Sequence, residues 1–348
     1  MTLPVAPPIK PMLAKVSEDI PRGPQGTDWL YEPKWDGFRT LVFKDTDEVW
    51  LRSRNDRPLN RYFPEIEELL RRKLPGGCVL DGEIIMPGPS GLEFDVLQLR
   101  LHPAASRVNK LAEETPTSFV VFDILALGAD DLRGRPLSER LEVLDSIIDR
   151  TRPAVAREVA TSPGPQLYLT PCTDDPDLAA EWFDDLEKVG LDGVIAKKLS
   201  LPYCEGERVM AKIKHRRTAD CVVGGYRPHK HGGVGSLLLG LYDDGQLRYV
   251  GHTSSFNASM RRELLDLLDP LRGEGGFGGA EEWGPGGASR WSGGQDVEWV
   301  GLRPALVCEV SYDYVQSGHR FRHAARFLRW RDDKRPEDCL FDQVRVDV

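Results

Sequence analysis

Tyr31-Glu32-Pro33-Lys34-Trp35-Asp36-Gly37-Phe38-Arg39 is the stretch on which the reading of this chain turns. Trp29, Leu30 and Tyr31 read as the end of one strand, and Phe38, Leu41, Val42 and Phe43 as the start of the next. Lys34 therefore falls in a short connection between strands. Gly37 allows the backbone to bend closely beside a ligand. A free lysine has a pKa of about 10.4 and is protonated at neutral pH. Partial burial and neighbouring cations lower that value and expose the lone pair, which is how a lysine becomes a nucleophile. Alone, the same stretch also reads as a charged strand–turn–strand, so the rest of the chain has to decide.

At 348 residues the chain exceeds one comfortable core, and two domains are expected. The formal charge of −9 does not advertise nucleic-acid binding, but local basic patches set phosphate contacts and global charge does not. Six cysteines are scattered, and none forms C-x-x-C, so neither a zinc site nor a disulfide framework is indicated. The proline-rich stretch Met1 to Lys15 lacks the apolar core of a signal peptide, and no apolar run reaches membrane-spanning length. The cytoplasm is the expected compartment, with no membrane partner.

The first two-thirds of the chain mixes strands and helices. Val49–Ser53 pairs with Phe38–Phe43 across the turn Asp45-Thr46-Asp47. Helical spacing recurs at Phe63, Ile66, Leu69 and Leu70, at Leu137, Leu141, Leu144, Ile147 and Ile148, and over Leu178–Val189. Val79–Met86, Phe119–Leu127, Gly193–Lys197 and Val209–Lys214 read as strands. After Arg217 the texture changes to short strands, Cys221–Tyr226, Ser236–Tyr242, Leu247–Val250 and Leu306–Tyr314, with one helix at Ala258–Leu268. Asp243-Asp244-Gly245 is a hairpin signal. Gly273–Gly294 reads as a flexible loop, as a linker between strands in preference to a grip on DNA. Short strands plus one helix suit a small barrel. The expected fold class is α+β, with a first domain over residues 1–217 and a barrel over 218–348.

The string around Lys34 has the form K-x-D-G-x-R. It is followed in order by Ser53-Arg54-Asn55, Leu80-Asp81-Gly82-Glu83, Val121-Phe122-Asp123-Ile124-Leu125, Leu191-Asp192-Gly193-Val194-Ile195-Ala196-Lys197, Arg208, Lys212-Ile213-Lys214 and Phe327-Leu328-Arg329-Trp330-Arg331-Asp332-Asp333-Lys334. This ordered set, spanning roughly residues 10 to 340, resembles the motifs of ATP-dependent DNA ligases, members of the covalent nucleotidyltransferase superfamily. Within them it is most similar to the small two-domain bacterial enzymes. The resemblance implies an adenylation (nucleotidyltransferase, ATP-grasp-like) domain of antiparallel sheets and helices, followed by an OB-fold β-barrel.

Physical reasoning supports parts of this pattern independently. Arg39 and Arg54 are cations near the nucleophile that could hold ribose and phosphate oxygens. Asp81 and Glu83 share one strand face. Lys212 and Lys214 share another. What the resemblance adds is a set of roles: Lys34 as catalytic nucleophile; Glu32, Arg39, Arg54, Glu83, Phe122, Arg208, Lys212 and Lys214 as ATP-binding residues, with Phe122 stacking on adenine; and Arg331, Asp333 and Lys334 as the barrel-domain element that orients pyrophosphate. Glu83 and Asp192 are the metal-ligand candidates for Mg²⁺ or Mn²⁺. Asp192 departs from the glutamate usual before Gly-Val-Ile-Ala-Lys, and its shorter side chain would shift the ion or require a bridging water. Arg216, Arg217 and Arg326 lie in basic segments suited to DNA.

The implied activity is ATP-dependent sealing of nicks between a 3′-hydroxyl and a 5′-phosphate through a lysine–AMP intermediate, in DNA repair, by a monomer acting on nicked double-stranded DNA with DNA-repair proteins as partners. The alternatives are an RNA ligase or a GTP-dependent capping nucleotidyltransferase. A further alternative is a catalytically decayed nick-binding protein, motivated by Asp192.

Overall fold

The computed structural model describes residues 3–23, 28–148, 155–215, 217–273, 276–277, 285, 298–316 and 319–345. The chain divides into two compact units, Met1–His215 and Arg216–Val348. Arg217 opens the first strand of the second unit.

The first unit is built on two sheets. One has the order Cys78–Ile85 between Ser118–Leu127 and Phe38–Lys44, with Val49–Ser53 and Leu167–Leu169 at the edges. The hairpin read from the sequence is present, pairing Thr40 with Ser53 through Lys44 with Val49. Nine of the ten residues of Ser118–Leu127 are buried, which explains its unbroken apolar run. The second sheet has the order Leu13–Ser17, Arg208–Ile213, Val194–Lys198, Trp29–Pro33. Its first strand lies in the proline-rich segment that gave no strand signal. Alternation is weak there because Val16 faces outward, 58% exposed. The expectation of antiparallel sheets holds for most pairs, but Leu13–Ser17 runs parallel to Arg208–Ile213, and Leu167–Leu169 parallel to Ser118–Leu127.

Helices cover the outer faces. Pro64–Lys73 buries Ile66, Leu69 and Leu70 in the core of the first sheet, and Leu137–Ile147 adds Leu137, Leu141 and Leu144. Each such side chain contributes about 1.5–3 kcal/mol on burial. Pro176–Asp185 is capped by Asp175, whose side chain accepts from the Asp177 amide, and it continues as a 3₁₀ turn, Leu186–Val189. Phe94–Leu99, Ala105–Glu114 and Ala156–Ala160 are helices with no sequence forecast. Ala105–Glu114 buries only Val108, so it carries no apolar stripe to read.

The second unit is an antiparallel sheet in the order Gln246–Thr253, Val234–Asp243, Arg217–Pro228, Val307–Tyr312, Arg326–Trp330. Its edges meet: the Phe321 amide donates to the Val250 carbonyl (2.6 Å) and the Ala325 amide to the His252 carbonyl (2.8 Å). Edge closure of this kind turns a sheet into a barrel. Asp244 and Gly245 both have positive φ, 49° and 75°, as a primed hairpin turn requires. The helix Ala258–Leu268 is capped by Asn257 and inserts Leu264 and Leu268 into this core. Most of Gly273–Gly294 lies outside the described residues, as does Arg216.

Candidate active site

The two sheets of the first unit face each other across a pocket of about 230 Å³. Strand alternation decides which side chains enter it. On Arg208–Ile213, the residues Arg208, Met210 and Lys212 face the pocket, while Ala211 and Ile213 pack behind against Tyr31, Val194 and Ala196. Ile195 and Lys197 enter from the neighbouring strand, and Glu32 from the next. From the opposite sheet come Arg39, Glu83 and Phe122.

Phe122 is delivered by a bulge. Asp81 pairs with Asp123 and Gly82 with Val121, so Phe122 is the extra residue of its strand. Its ring lies beneath two cations, with the Arg39 guanidinium 5.1 Å and Lys197 Nζ 4.5 Å from the centroid. Arg39 is held by a bidentate pair with buried Asp81, at 2.8 and 2.6 Å. Asp81 also accepts from the Tyr203 hydroxyl at 2.5 Å, and Asp123 takes both a 2.8 Å Nε and a 2.8 Å Nη2 bond from Arg140. Glu32, 2% exposed, pairs with Lys197 at 2.6 Å.

Lys34 follows the strand Trp29–Pro33 and stands opposite the turn at Asp192-Gly193. Its amide donates to the Gly193 carbonyl (2.9 Å), and its carbonyl accepts from the Asp192 amide (3.3 Å). Gly193 has φ +128°, and a side chain there would collide with the Ile213 carbonyl. This backbone clasp puts Asp192 beside the amine. Lys34 Nζ donates to Asp192 Oδ2 at 2.7 Å, and Lys214 Nζ reaches the same oxygen at 2.6 Å. Burial pushes the Asp192 carboxyl up, but the two ammonium groups outweigh it and hold it below the usual range.

Of the residues read as ATP-binding, Glu32, Lys34, Arg39, Arg54, Glu83, Phe122, Arg208 and Lys212 line the pocket, whereas Lys214 joins the cluster through Asp192, one residue beyond its strand. Sequence reading missed the apolar walls Leu13, Ala14, Ile195 and Met210; Lys197, which matches the family's motif lysine and reads from the sequence as positive charge near the site, lines the pocket. Tyr203 and Arg140, which brace the pocket from behind, carry no local signal.

Six cations against two carboxylates make the lining an anion site. Lys212 shows the strain: burial, then Lys214, Lys34, Arg208 and Arg54, depress its pKa. Burial also pushes the Glu83 carboxyl up to about 8, against the pull of Arg39 and Lys34. An aromatic ring, Phe122, in a pocket that also holds six basic side chains suits a nucleotide with its phosphates. Glu83 and Asp192 are hard oxygen donors suited to Mg²⁺ or Mn²⁺, but Asp192 already serves two ammonium groups, and no group of three metal-binding side chains occurs among the described residues. The pair fits a cation that arrives with phosphate oxygens, not one held in a protein cage.

In the second unit, Arg331, Asp333 and Lys334 cluster: Arg331 forks onto Asp333 at 2.8 and 2.9 Å, and both cations reach Asp220. The Arg331 fork draws the Asp333 carboxyl down to about 2. Arg217 and Arg326 are brought to the same end of the sheet, flanking Tyr312 and Ser311.

A lysine held on a strand turn, a cation-lined pocket between two sheets and a small barrel in the second unit are the parts of a covalent nucleotidyltransferase. The chain belongs to the ATP-dependent DNA ligases: the family model for the ATP dependent DNA ligase domain matches residues 11–214, and that for the ATP dependent DNA ligase C terminal region matches residues 230–334. It is 49% identical to DNA ligase C1 of Mycolicibacterium smegmatis, over 99% of this chain and 96% of that protein. It is 30% identical to the multifunctional non-homologous end joining DNA repair protein LigD of Mycobacterium tuberculosis, over 95% of this chain and 40% of that protein. A solved structure from the Lig E DNA ligases has a TM-score of 0.56 at 18% identity, covering 92% of this chain and 98% of that one, and shares the fold. The protein is therefore an enzyme that uses ATP to join DNA, with nicked DNA as substrate.

Proposed function

We propose that Lys34 is the nucleophile and that the pocket around it is the ATP site. The observation that carries this reading is the Lys34 amine held at 2.7 Å from Asp192 and lining one pocket with Arg39, Arg54, Arg208 and Lys212. Once deprotonated, Lys34 Nζ attacks the α-phosphorus of ATP. The N–P bond forms as the bond from that phosphorus to the bridging oxygen breaks, and its electron pair leaves on pyrophosphate. Arg39, Arg54, Arg208 and Lys212 absorb the charge that develops on the phosphate oxygens. Phe122 and Glu32 hold the base, and Glu83 holds the ribose. The adenylate then passes to a 5′-phosphate, and the 3′-hydroxyl displaces AMP.

Glu83 and Asp192 would hold the divalent cation, Mg²⁺ or Mn²⁺, with the phosphates; when bound, it neutralises phosphate charge. Asp192 must release Lys34 for attack, and a bound cation or Lys214 alone can take over its charge. Residues 1–217 act as the adenylation domain and 218–348 as the barrel domain, in which Arg331, Asp333 and Lys334 orient pyrophosphate. Arg216, Arg217 and Arg326 contact the DNA backbone. The likeness to a DNA repair protein supports a role in repair, with repair proteins as partners. We also assign a monomer acting in the cytoplasm.

Lys34→Ala is expected to abolish the covalent adenylate, read as loss of the AMP adduct in intact-protein mass spectrometry, while nicked-duplex binding stays within about twofold of wild type. An adduct persisting in that variant removes Lys34 from the mechanism.

A further inference from the structure

The second unit holds a set of ionised side chains whose charges cancel. Arg331 donates from Nε and Nη2 to Asp333, and from Nη1 to both oxygens of Asp220 at 2.8 and 2.9 Å. Lys334 Nζ donates to the same Asp220 carboxylate at 2.9 Å. Asp220 sits far from the motif in sequence, on the strand Arg217–Pro228, and its side chain is only 13% exposed. Its backbone is pinned on both sides by Gln343, which accepts from the Asp220 amide (2.9 Å) and donates to its carbonyl (3.0 Å). The carboxylate is thus an immobile part of the sheet, while Arg331 and Lys334 are long side chains that can swing away from it.

A carboxylate gripped by one guanidinium and one ammonium presents the same oxygens that a phosphate would. We propose that Asp220 is a positioning residue for the nucleotide step: an internal counter-anion that orders Arg331 and Lys334 and is displaced from them by the departing phosphates of ATP. This rests on the reading of Arg331, Asp333 and Lys334 as the pyrophosphate element. While Asp220 is seated, two cations face two carboxylates and the set has no net charge to offer an anion. Asp220 therefore weakens the grip on ATP and pyrophosphate and hastens release of the leaving group. In the reverse direction a pyrophosphate oxygen attacks the phosphorus of the lysine adenylate, the P–N bond breaks, the lysine amine takes up a proton and ATP is re-formed.

Asp220→Asn keeps the shape and removes the charge. It is expected to lower the KM for ATP in adenylation about two- to fivefold, and to lower by the same factor the pyrophosphate concentration that half-discharges the adenylated enzyme, the scale of one partly exposed ion pair. Asp220→Glu should restore both values. Sealing of a pre-adenylated nick, in which no pyrophosphate takes part, should not change. A purely structural role would alter thermal stability and all steps together. Asp220→Ser gives the same reading should the asparagine variant fail to fold. Unchanged or raised ATP and pyrophosphate constants in these variants, or loss of pre-adenylated sealing, overturn the role of Asp220. Arg331→Ala separates the two levels: unimpaired adenylation there removes the pyrophosphate-element reading itself, whereas impaired adenylation with silent Asp220 variants removes only the present proposal.

Discussion

At the scale of the residue, Glu83 shows how the pocket treats charge. Its carboxyl is pushed up to about 8 because burial outweighs the attraction of Arg39 and Lys34. Its folded pKa lies above the unfolded value of 4.5, so between those limits the unfolded chain releases a proton that the folded chain retains. Stability from this group is present at low pH and lost as pH rises from about 4.5 to about 8. Glu83→Gln should flatten that part of the profile, so the difference in thermal midpoint between variant and wild type grows in the variant's favour with pH. A constant difference across the window would show that Glu83 ionises normally. The same variant should form adenylate at least about tenfold more slowly, as loss of one contact to a reacting ligand commonly does. Glu83 itself was legible from Leu80-Asp81-Gly82-Glu83, and so was its neighbour Arg39. The upward push was not, because it depends on what the opposite sheet covers.

At the scale of the element, the helix Leu137–Ile147 is fastened to the strand Ser118–Leu127 by more than its leucines. Arg140, 1% exposed, forks onto Asp123 and also donates to the Arg135 carbonyl at 2.6 Å. Its guanidinium lies 5.8 Å from the Tyr203 ring, and Tyr203 in turn steadies Asp81 and thereby Arg39. Arg140→Ala strands the Asp123 charge in a buried site and should cost about 3–5 kcal/mol, read from the urea midpoint. Replacing both partners together should cost less than the single change, since no orphaned charge remains; an additive double variant would refute that coupling. The amphipathic stripe of this helix could be read from the sequence, but Arg140 sits within the pattern as an apparent surface residue. The bulge at Phe122 was equally hidden, because a bulge is a property of pairing and not of one strand's composition.

At the scale of the whole molecule, a chain of net charge −9 must still bind a polyanion. Basic side chains are concentrated locally, in the pocket of the first unit and at the Arg217 and Arg326 end of the barrel sheet. Nick binding should therefore weaken by about a hundredfold or more between roughly 50 and 200 mM salt, measured by fluorescence anisotropy, as expected for several phosphate contacts. A flat response would place the contacts on bases or apolar surface instead.

The sequence by itself determined the ordered motif strings, most strands, the hairpin at Asp244-Gly245 and the α+β class, because each rests on local residue order and on periodicities of two or 3.6. The tertiary structure alone decided that Asp192 clasps Lys34 and Lys214, that Tyr203 and Arg140 brace Asp81 and Asp123, that Leu13–Ser17 walls the pocket, and that Asp220 holds Arg331 and Lys334. These pairings join residues distant in the chain. Their partners are chosen by strand register and burial, and no local pattern in the sequence encodes either one.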